Sequence, residues 1–186
     1  MAKREVTDSL MEKVGEGIDR TIHLASLVPA SSVSWQPPVP AGARPAFDFG
    51  HLFGHLLDCL AGFCAVFQKA LSDDMAHYAE LRSINTNESY SSKDALRFMR
   101  LYDGHIRRGF ARCTDEDLST RLTTRFAPEG QTLMILLLNN YEHLTNHKYQ
   151  LFLYLRLSGI RVGTQDLYKF GDVTRANDGQ ANAESV

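Results

Sequence analysis

Two pairs of histidines in this sequence have the spacing that lets two imidazoles bind one metal ion. His51 and His55 are four residues apart, and so are His143 and His147. Residues four apart lie above one another on an α-helix, so both imidazoles of a pair can reach an ion at about 2.0–2.1 Å. This spacing also occurs where histidines bind no metal. His23, His77 and His105 have no partner at ligand spacing and are predicted to be ordinary surface or interface residues.

The neighbours of the second pair favour a site in the protein interior. Counting in steps of three and four places His143 and His147 on one helix face with Leu136, Asn140 and Leu151. Imidazoles that project from an apolar stripe are buried and need polar partners. Helical bundles build their metal sites from such inward-facing side chains. The pattern therefore predicts a polar site between helices.

An earlier segment offers a third ligand. The same counting places His51, His55, Asp58 and Cys59 along one helix face. Asp58 is a candidate catalytic residue that could accept a proton from bound water or orient a ligand imidazole, and a solvated or capping carboxylate is an equally good interpretation. Cys59 could bind metal, although a free buried cysteine usually packs as a small apolar side chain.

Four amphipathic segments must position these residues. Apolar residues that recur every three or four positions predict helices over 5–27, 48–71, 93–113 and 131–159. Asp48, Ser91 or Ser92, and Gln131 or Thr132 mark the starts of the last three, and Gly159 ends the fourth. Because no segment shows convincing strand alternation, the predicted fold is an all-α four-helix bundle.

The remaining segments are predicted to be connections. Five of the six prolines fall in residues 29–45, which favours a long ordered loop that Trp35 could anchor. Thr114 and Asp117 resemble a capping box for one short helical turn. Residues 1–170 are expected to form one domain, and residues 171–186 are expected to be a disordered tail because they are rich in Asn, Ala and Gly.

Charge and composition exclude several classes of function. The 20 basic and 22 acidic side chains are interspersed, so no basic patch indicates binding to nucleic acid or to an anionic membrane. The N-terminus leads into no apolar segment. The longest apolar runs, such as 133–138, are expected to be too short to cross a bilayer. A cytoplasmic protein is therefore expected.

Two motifs resemble a known family. The segment FDFGHLFGHLLD (47–58), followed by HLTNHKYQLFLYLRLSG (143–159), is similar to the DinB/YfiT-like superfamily of metalloenzymes. The resemblance implies a four-helix bundle, often a homodimer, whose metal ligands here would be His55, His143 and His147. It makes His51 a capping residue or a partner of a ligand, with replacement of His55 as the alternative.

The resemblance has limits that bear on the substrate. Family members commonly have two adjacent histidines followed by Arg-Gly-Gln, whereas this chain has Asn146 before His147 and then Lys148-Tyr149-Gln150. The three ligand positions remain. Arg156 matches an arginine of the family, and a structural or surface role is the preferred interpretation.

Three protein ligands would leave a coordination position open, as in catalytic zinc sites. The metal charge lowers the pKa of a bound water to about 7 and deprotonates a coordinating thiol. With zinc or nickel as the favoured metals, the predicted function is a thiol S-transferase or hydrolase-like enzyme that acts on a small electrophile, with a low-molecular-weight thiol as a possible co-substrate. The alternative is a non-catalytic dimeric metal-binding protein with a structural or sensing role.

Overall fold

A computed structural model of the chain describes residues 3–71, 76–86 and 88–169. Within these ranges six α-helices follow one another: α1 (Glu5–Ser26), α2 (Phe49–Ala70), α3 (Ser92–Ala111), α4 (Asp115–Thr120), α5 (Leu133–Leu157) and α6 (Thr164–Leu167). Short 3₁₀ helices occupy Ala30–Ser32 and Ala76–Ser83, and strands β1 (Leu122–Thr123) and β2 (Gln131–Thr132) form an antiparallel hairpin. The all-α prediction is confirmed.

Side-chain caps explain where three of the four long helices begin. Asp48, Ser91 and Thr132 precede α2, α3 and α5, and each side-chain oxygen accepts a hydrogen bond from the backbone N–H three residues later. Each cap satisfies an N–H group that has no partner within its helix. At the other end of α5, Gly159 has a φ of 85°, the left-handed conformation that glycine adopts most readily.

The four long helices pack around a shared apolar core. Helices α1 and α2 each pack against both α3 and α5. The largest fully buried side chains include Phe53, Phe63, Phe67, Tyr102 and Phe110. Since α2 lies beside α5 along this core, histidines on their facing sides can meet.

The loop before α2 is fixed by an aromatic contact and by backbone hydrogen bonds. The Trp35 ring lies 5.4 Å from that of Phe49 and 5.8 Å from that of Tyr154, measured between centroids. The Trp35 carbonyl accepts the backbone N–H of Phe49 at 3.1 Å, and the Val33 carbonyl accepts that of Gly50 at 2.9 Å. The loop therefore satisfies donors in the first turn of α2, and the predicted anchoring by Trp35 is confirmed.

Helix α2 differs from the sequence-based expectation in one respect. Its 22 residues are long and apolar enough to cross a membrane, so the view that every apolar stretch is too short does not hold for Phe49–Ala70. In the structure, 67% of that apolar stretch is buried inside the protein. A helix that is apolar on most faces is expected at the centre of a core, and α2 occupies that position.

The connection between α2 and α3 lies directly on α2. A Cβ atom at Gly54 would overlap the carbonyl oxygen of Glu88, and one at Gly50 would overlap the Ser89 hydroxyl. The backbone N–H of Tyr90 also donates to the Gly50 carbonyl at 3.1 Å. These glycines permit the close approach that makes the connection one wall of the pocket described below.

One histidine is more buried than the sequence suggested. His105, expected at the surface, is 1% exposed, and its Nε2 contacts the Glu80 carboxylate. The reason is its position on the buried face of α3, three residues after Tyr102 and four before Gly109. The side chain of His77 and the tail 171–186 lie outside the described residues.

Candidate metal centre

Helices α2 and α5 bring three imidazoles together. His55 lies in the second turn of α2, and His143 and His147 occupy successive turns of α5. The His55 ring centroid is 5.2 Å from that of His143 and 4.2 Å from that of His147, and the two α5 rings are 4.8 Å apart. The i, i+4 pair of α5 and the single histidine of α2 thus form one cluster.

The donor atoms of the cluster fit one metal ion. One ligand atom from each of His55, Cys59, His143 and His147 lies within 4.8 Å of the others. The Nε2 atoms of His55 and His147 are 2.9 Å apart. Two nitrogens bound tetrahedrally at about 2.0–2.1 Å are roughly 3.4 Å apart, so a small movement of one ring would suffice.

Gln150 fixes the orientation of the His147 ring. The Gln150 amide Nε2 donates to the Tyr154 hydroxyl at 3.0 Å, which directs its Oε1 towards His147 Nδ1 at 2.8 Å. A carbonyl oxygen only accepts, so Nδ1 carries the proton and Nε2 presents its lone pair to the cluster. Metal-binding histidines are commonly held by such a second hydrogen bond.

Burial keeps two of the imidazoles in the neutral form that binds metals. It lowers the pKa of His55, and the nearby His147 and His143 lower it further, while Asp58 opposes the shift. Burial also lowers the pKa of His147, and the hydrogen bond that His147 donates to Gln150 opposes this shift. Both groups therefore favour the deprotonated state at neutral pH.

Cys59 is a fourth donor beside the histidines. Its side chain is 1% exposed, and burial, followed by the charge of Asp58, raises the pKa of the thiol to about 12. Without a metal the sulfur is therefore protonated at neutral pH. The metal-binding role that the sequence left open for Cys59 is compatible with its position in the cluster.

Asp58 lies between the cluster and a pocket. Its Oδ1 accepts a hydrogen bond from the Thr86 hydroxyl at 2.9 Å. Both Asp58 and His143 line a pocket of about 650 Å³ between α2, α5, the α2–α3 connection and the β1–β2 hairpin. This volume falls in the range of small-molecule sites. The predicted catalytic role of Asp58 has a matching position and remains a prediction.

Three other residues lie outside the cluster, although Tyr154 holds the Gln150 amide that orients His147. His51 is exposed, and its Nδ1 lies 2.8 Å from Oδ1 of Asp48, the residue that caps α2. Tyr154 is 5% exposed and packs in the core against Trp35. Arg156 places its guanidinium 5.8 Å from the centroid of the Phe152 ring.

Two contributors to the site have no signal in the sequence pattern. Phe47 packs its ring 5.5 Å from that of His55, between centroids, although it precedes the helix. Thr86 reaches Asp58 from a connection 28 residues further along the chain. Both contacts depend on how the loops fold back over α2, which helical periodicity does not predict.

Comparisons with known proteins identify the fold. No protein-family model matches the sequence, and no curated protein matches it. The crystal structure of a DinB-like protein from Bacillus cereus ATCC 10987 aligns with a TM-score of 0.63 over 88% of this chain and 98% of that one, at 16% identity. A DinB-like protein from Bacillus subtilis aligns with a TM-score of 0.60 over 87% and 96%, at 18% identity.

The chain is therefore an all-α protein with the DinB-like fold, as the sequence motifs predicted. At 16% and 18% identity the structural likeness establishes the fold alone. The activity has to be inferred from the residues of the site. In that fold, α2 and α5 carry a His/Cys cluster that could hold a metal ion.

Proposed function

We propose that the protein binds one divalent metal ion, zinc or nickel, through His55, His143 and His147. The observation that carries this proposal is the convergence of three imidazoles from α2 and α5, with ligand atoms within 4.8 Å of one another. Imidazole suits both metals, and three such ligands leave a coordination position free. The interspersed surface charges and the burial of α2 support a soluble, cytoplasmic protein.

The proposed reaction is the transfer of a low-molecular-weight thiol, or of water, to a small electrophile. When bound, the metal supplies Lewis acidity, which lowers the pKa of a coordinated thiol or water and so yields a nucleophile at neutral pH. His143 belongs to the cluster and to the wall of the 650 Å³ pocket, so an electrophile held in the pocket would lie beside the residues that would hold the metal.

Asp58 is the proposed proton acceptor. The Thr86 hydroxyl holds its Oδ1, which orients the carboxylate and leaves Oδ2 to receive the proton of the incoming nucleophile. His147 has a different task, because Gln150 holds its Nδ1 proton and keeps Nε2 as a ligand atom.

Metal loading is expected to accelerate thiol addition to a generic electrophile such as an aryl halide. Activation of the nucleophile should raise the rate on the order of tenfold or more above that of the metal-free chain. Initial rates with cysteine and with glutathione, for zinc-loaded, nickel-loaded and chelator-treated protein, measure this effect. Asp58→Asn should remove most of this acceleration while metal content stays unchanged, because the general base acts on the metal-activated nucleophile. Equal rates with and without metal for every thiol would eliminate the transferase proposal.

A non-catalytic role is the second candidate, and Cys59 is the observation that favours it. If Cys59 joins the three histidines, four protein ligands close the site, as in structural zinc centres. Cobalt substitution separates the two candidates, because a thiolate ligand adds a sulfur-to-cobalt charge-transfer band. The catalytic proposal expects no such band and the same spectrum for Cys59→Ser. A band that Cys59→Ser abolishes would favour the structural role.

We expect the protein to be a homodimer that packs through the outer face of α5. Large apolar side chains are exposed along this helix: Ile135 (45%), Leu138 (45%), Tyr149 (39%), Leu153 (51%) and Leu157 (56%). Isolated apolar residues at a surface are ordinary, whereas an extended apolar stripe indicates an interface.

Light scattering at micromolar concentration should give twice the 20.9 kDa of one chain. Leu153→Glu should shift the protein towards monomer, because it places a charge in the stripe. Val6→Glu is the matched control, since Val6 is 48% exposed on α1, outside this stripe. A wild-type protein that scatters as a monomer would rule out this interface.

A further inference from the structure

The side chains that line the pocket beside the metal centre carry more positive than negative charge. Among the described residues that line it, Asp58 is the only carboxylate, and Arg82 and Arg125 are the fully charged cations. The Asp58 carboxylate is already held by the Thr86 hydroxyl. Both arginines are exposed, and within the described part of the chain neither has an ion pair with a carboxylate. The pocket thus offers two guanidinium groups to a ligand.

Phe126 adds an aromatic surface at the same place. Its side chain is 62% exposed, and the Arg125 guanidinium lies 4.8 Å from the centroid of its ring. Phe126 also has a φ of 71°, the one positive φ of a non-glycine residue within the described ranges. This conformation costs a bulky residue free energy and is found most often where a loop serves a ligand. The hairpin therefore holds an aromatic ring and a cation together at the edge of the pocket.

The interior of the pocket suits the body of an organic molecule. The small side chains of Ala61 and Ala65 face the pocket along α2, and Leu136 and Tyr102 provide apolar walls. Asn139 supplies a side-chain amide near His143. Apolar and polar side chains line the pocket in similar numbers, which suits an organic molecule that itself carries polar groups.

We propose that this pocket binds a small organic anion whose carboxylate or phosphate pairs with Arg125 and Arg82 and whose planar apolar body packs on Phe126. The proposal rests on the proposed function in one respect, because the reactive end of such a ligand would meet the metal centre at His143. Binding of the anion itself depends on the arginines and not on the metal. Guanidinium groups bind both carboxylates and phosphates through paired hydrogen bonds. The titrations below determine which of the two headgroups the pocket prefers.

Three probes of one shape test the charge preference: 2-naphthoate, 2-naphthyl phosphate and the neutral 2-naphthamide. Dissociation constants are measured by fluorescence titration of the full-length chain with saturating zinc and again after treatment with a chelator. At least one anion should bind on the order of tenfold more tightly than the amide, with and without zinc, because only the anion gains charged hydrogen bonds. The tighter of the two anions identifies the headgroup.

Variants at the exposed residues locate the binding site without altering the core. Arg125→Gln should weaken binding of the preferred anion on the order of tenfold and leave the amide unchanged, and Arg82→Gln should act in the same direction. Phe126→Ala should weaken anion and amide alike, by about threefold to tenfold, because it removes the stacking surface. Arg161→Gln is the matched control for loss of charge, since it follows the far end of α5.

The proposal is overturned if no probe binds, if anion and amide bind equally, or if neither arginine variant reduces the preference for the anion. It is also overturned if that preference disappears on chelation, because the headgroup would then be binding the metal. A chain that binds the anion but no metal would refute the proposed function alone, so the two failures can be told apart.

Discussion

Saturating zinc should raise the melting temperature of this protein by on the order of 5–11 °C. A ligand that binds only the folded state stabilises it by roughly 2.7 kcal/mol at one hundred times its dissociation constant. For a domain of this size, each kcal/mol raises the melting temperature by about 2–4 °C. The unfolded chain lacks the site, because His55 and the α5 pair are brought together only when α2 packs against α5. Thermal unfolding by circular dichroism, with and without zinc, measures the shift.

Single substitutions test which histidines produce the zinc-dependent rise in melting temperature. His55→Ala, His143→Ala and His147→Ala should each remove most of it, because an ion held by two imidazoles binds far more weakly. His51→Ala is the matched control, since it removes an exposed histidine of the same helix whose ring contacts the capping residue Asp48. The ligand assignment is wrong if His51→Ala abolishes the zinc-dependent shift while His55→Ala preserves it.

Lowering the pH from about 7.5 to about 5.5 should weaken zinc binding on the order of a hundredfold, because protons compete for each of the three imidazoles. The pKa values of His55 and His147 lie below their ordinary value, with burial as the main cause. The loss should therefore begin at a lower pH than for three ordinary histidines. Zinc dissociation constants across this range, determined by competition with a chelating dye, measure it.

The same pKa shifts make the metal-free protein less stable in acid. Because the folded-state pKa of each group is lowered, the unfolded chain binds more protons just below the ordinary pKa of about 6.5. Stability that is present above this pH is lost as the pH falls through the folded-state values. For the zinc-binding prediction, an affinity for zinc that stays constant from about pH 7.5 to about pH 5.5 would show that imidazoles are not the ligands.

The positions of the helices were predictable because their signals are local. Asp48, Ser91 and Thr132 cap the helices that the apolar periodicity predicted, and Thr114 with Asp117 forms the expected capping box before α4. The short elements α6, Ala76–Ser83 and the β1–β2 hairpin were missed. Each has too few residues to show a period, and each depends on packing against the long helices.

The histidine cluster was predictable in part, because only some of its features are local in the sequence. An i, i+4 pair is a local feature, whereas the contact between His55 and His147 joins residues 92 positions apart. The sequence pattern offered a third ligand on the second predicted helix, and the family resemblance assigned it to His55. The burial of His105 follows from tertiary structure, since it depends on which face of α3 packs into the core. Sequence periodicity indicates which face of a helix is buried but not which loop covers it, so the pocket could not be predicted.

X-ray absorption at the zinc edge of the loaded protein tests the central claim most directly. It reports the number, type and distance of the atoms bound to the metal, and elemental analysis of the same sample gives the stoichiometry. We predict one zinc per chain with three imidazole nitrogens at about 2.0–2.1 Å, a light atom in the remaining position, and loss of one imidazole in each of His55→Ala, His143→Ala and His147→Ala. Zinc below stoichiometric amounts, or a coordination shell that none of these substitutions alters, would contradict the account.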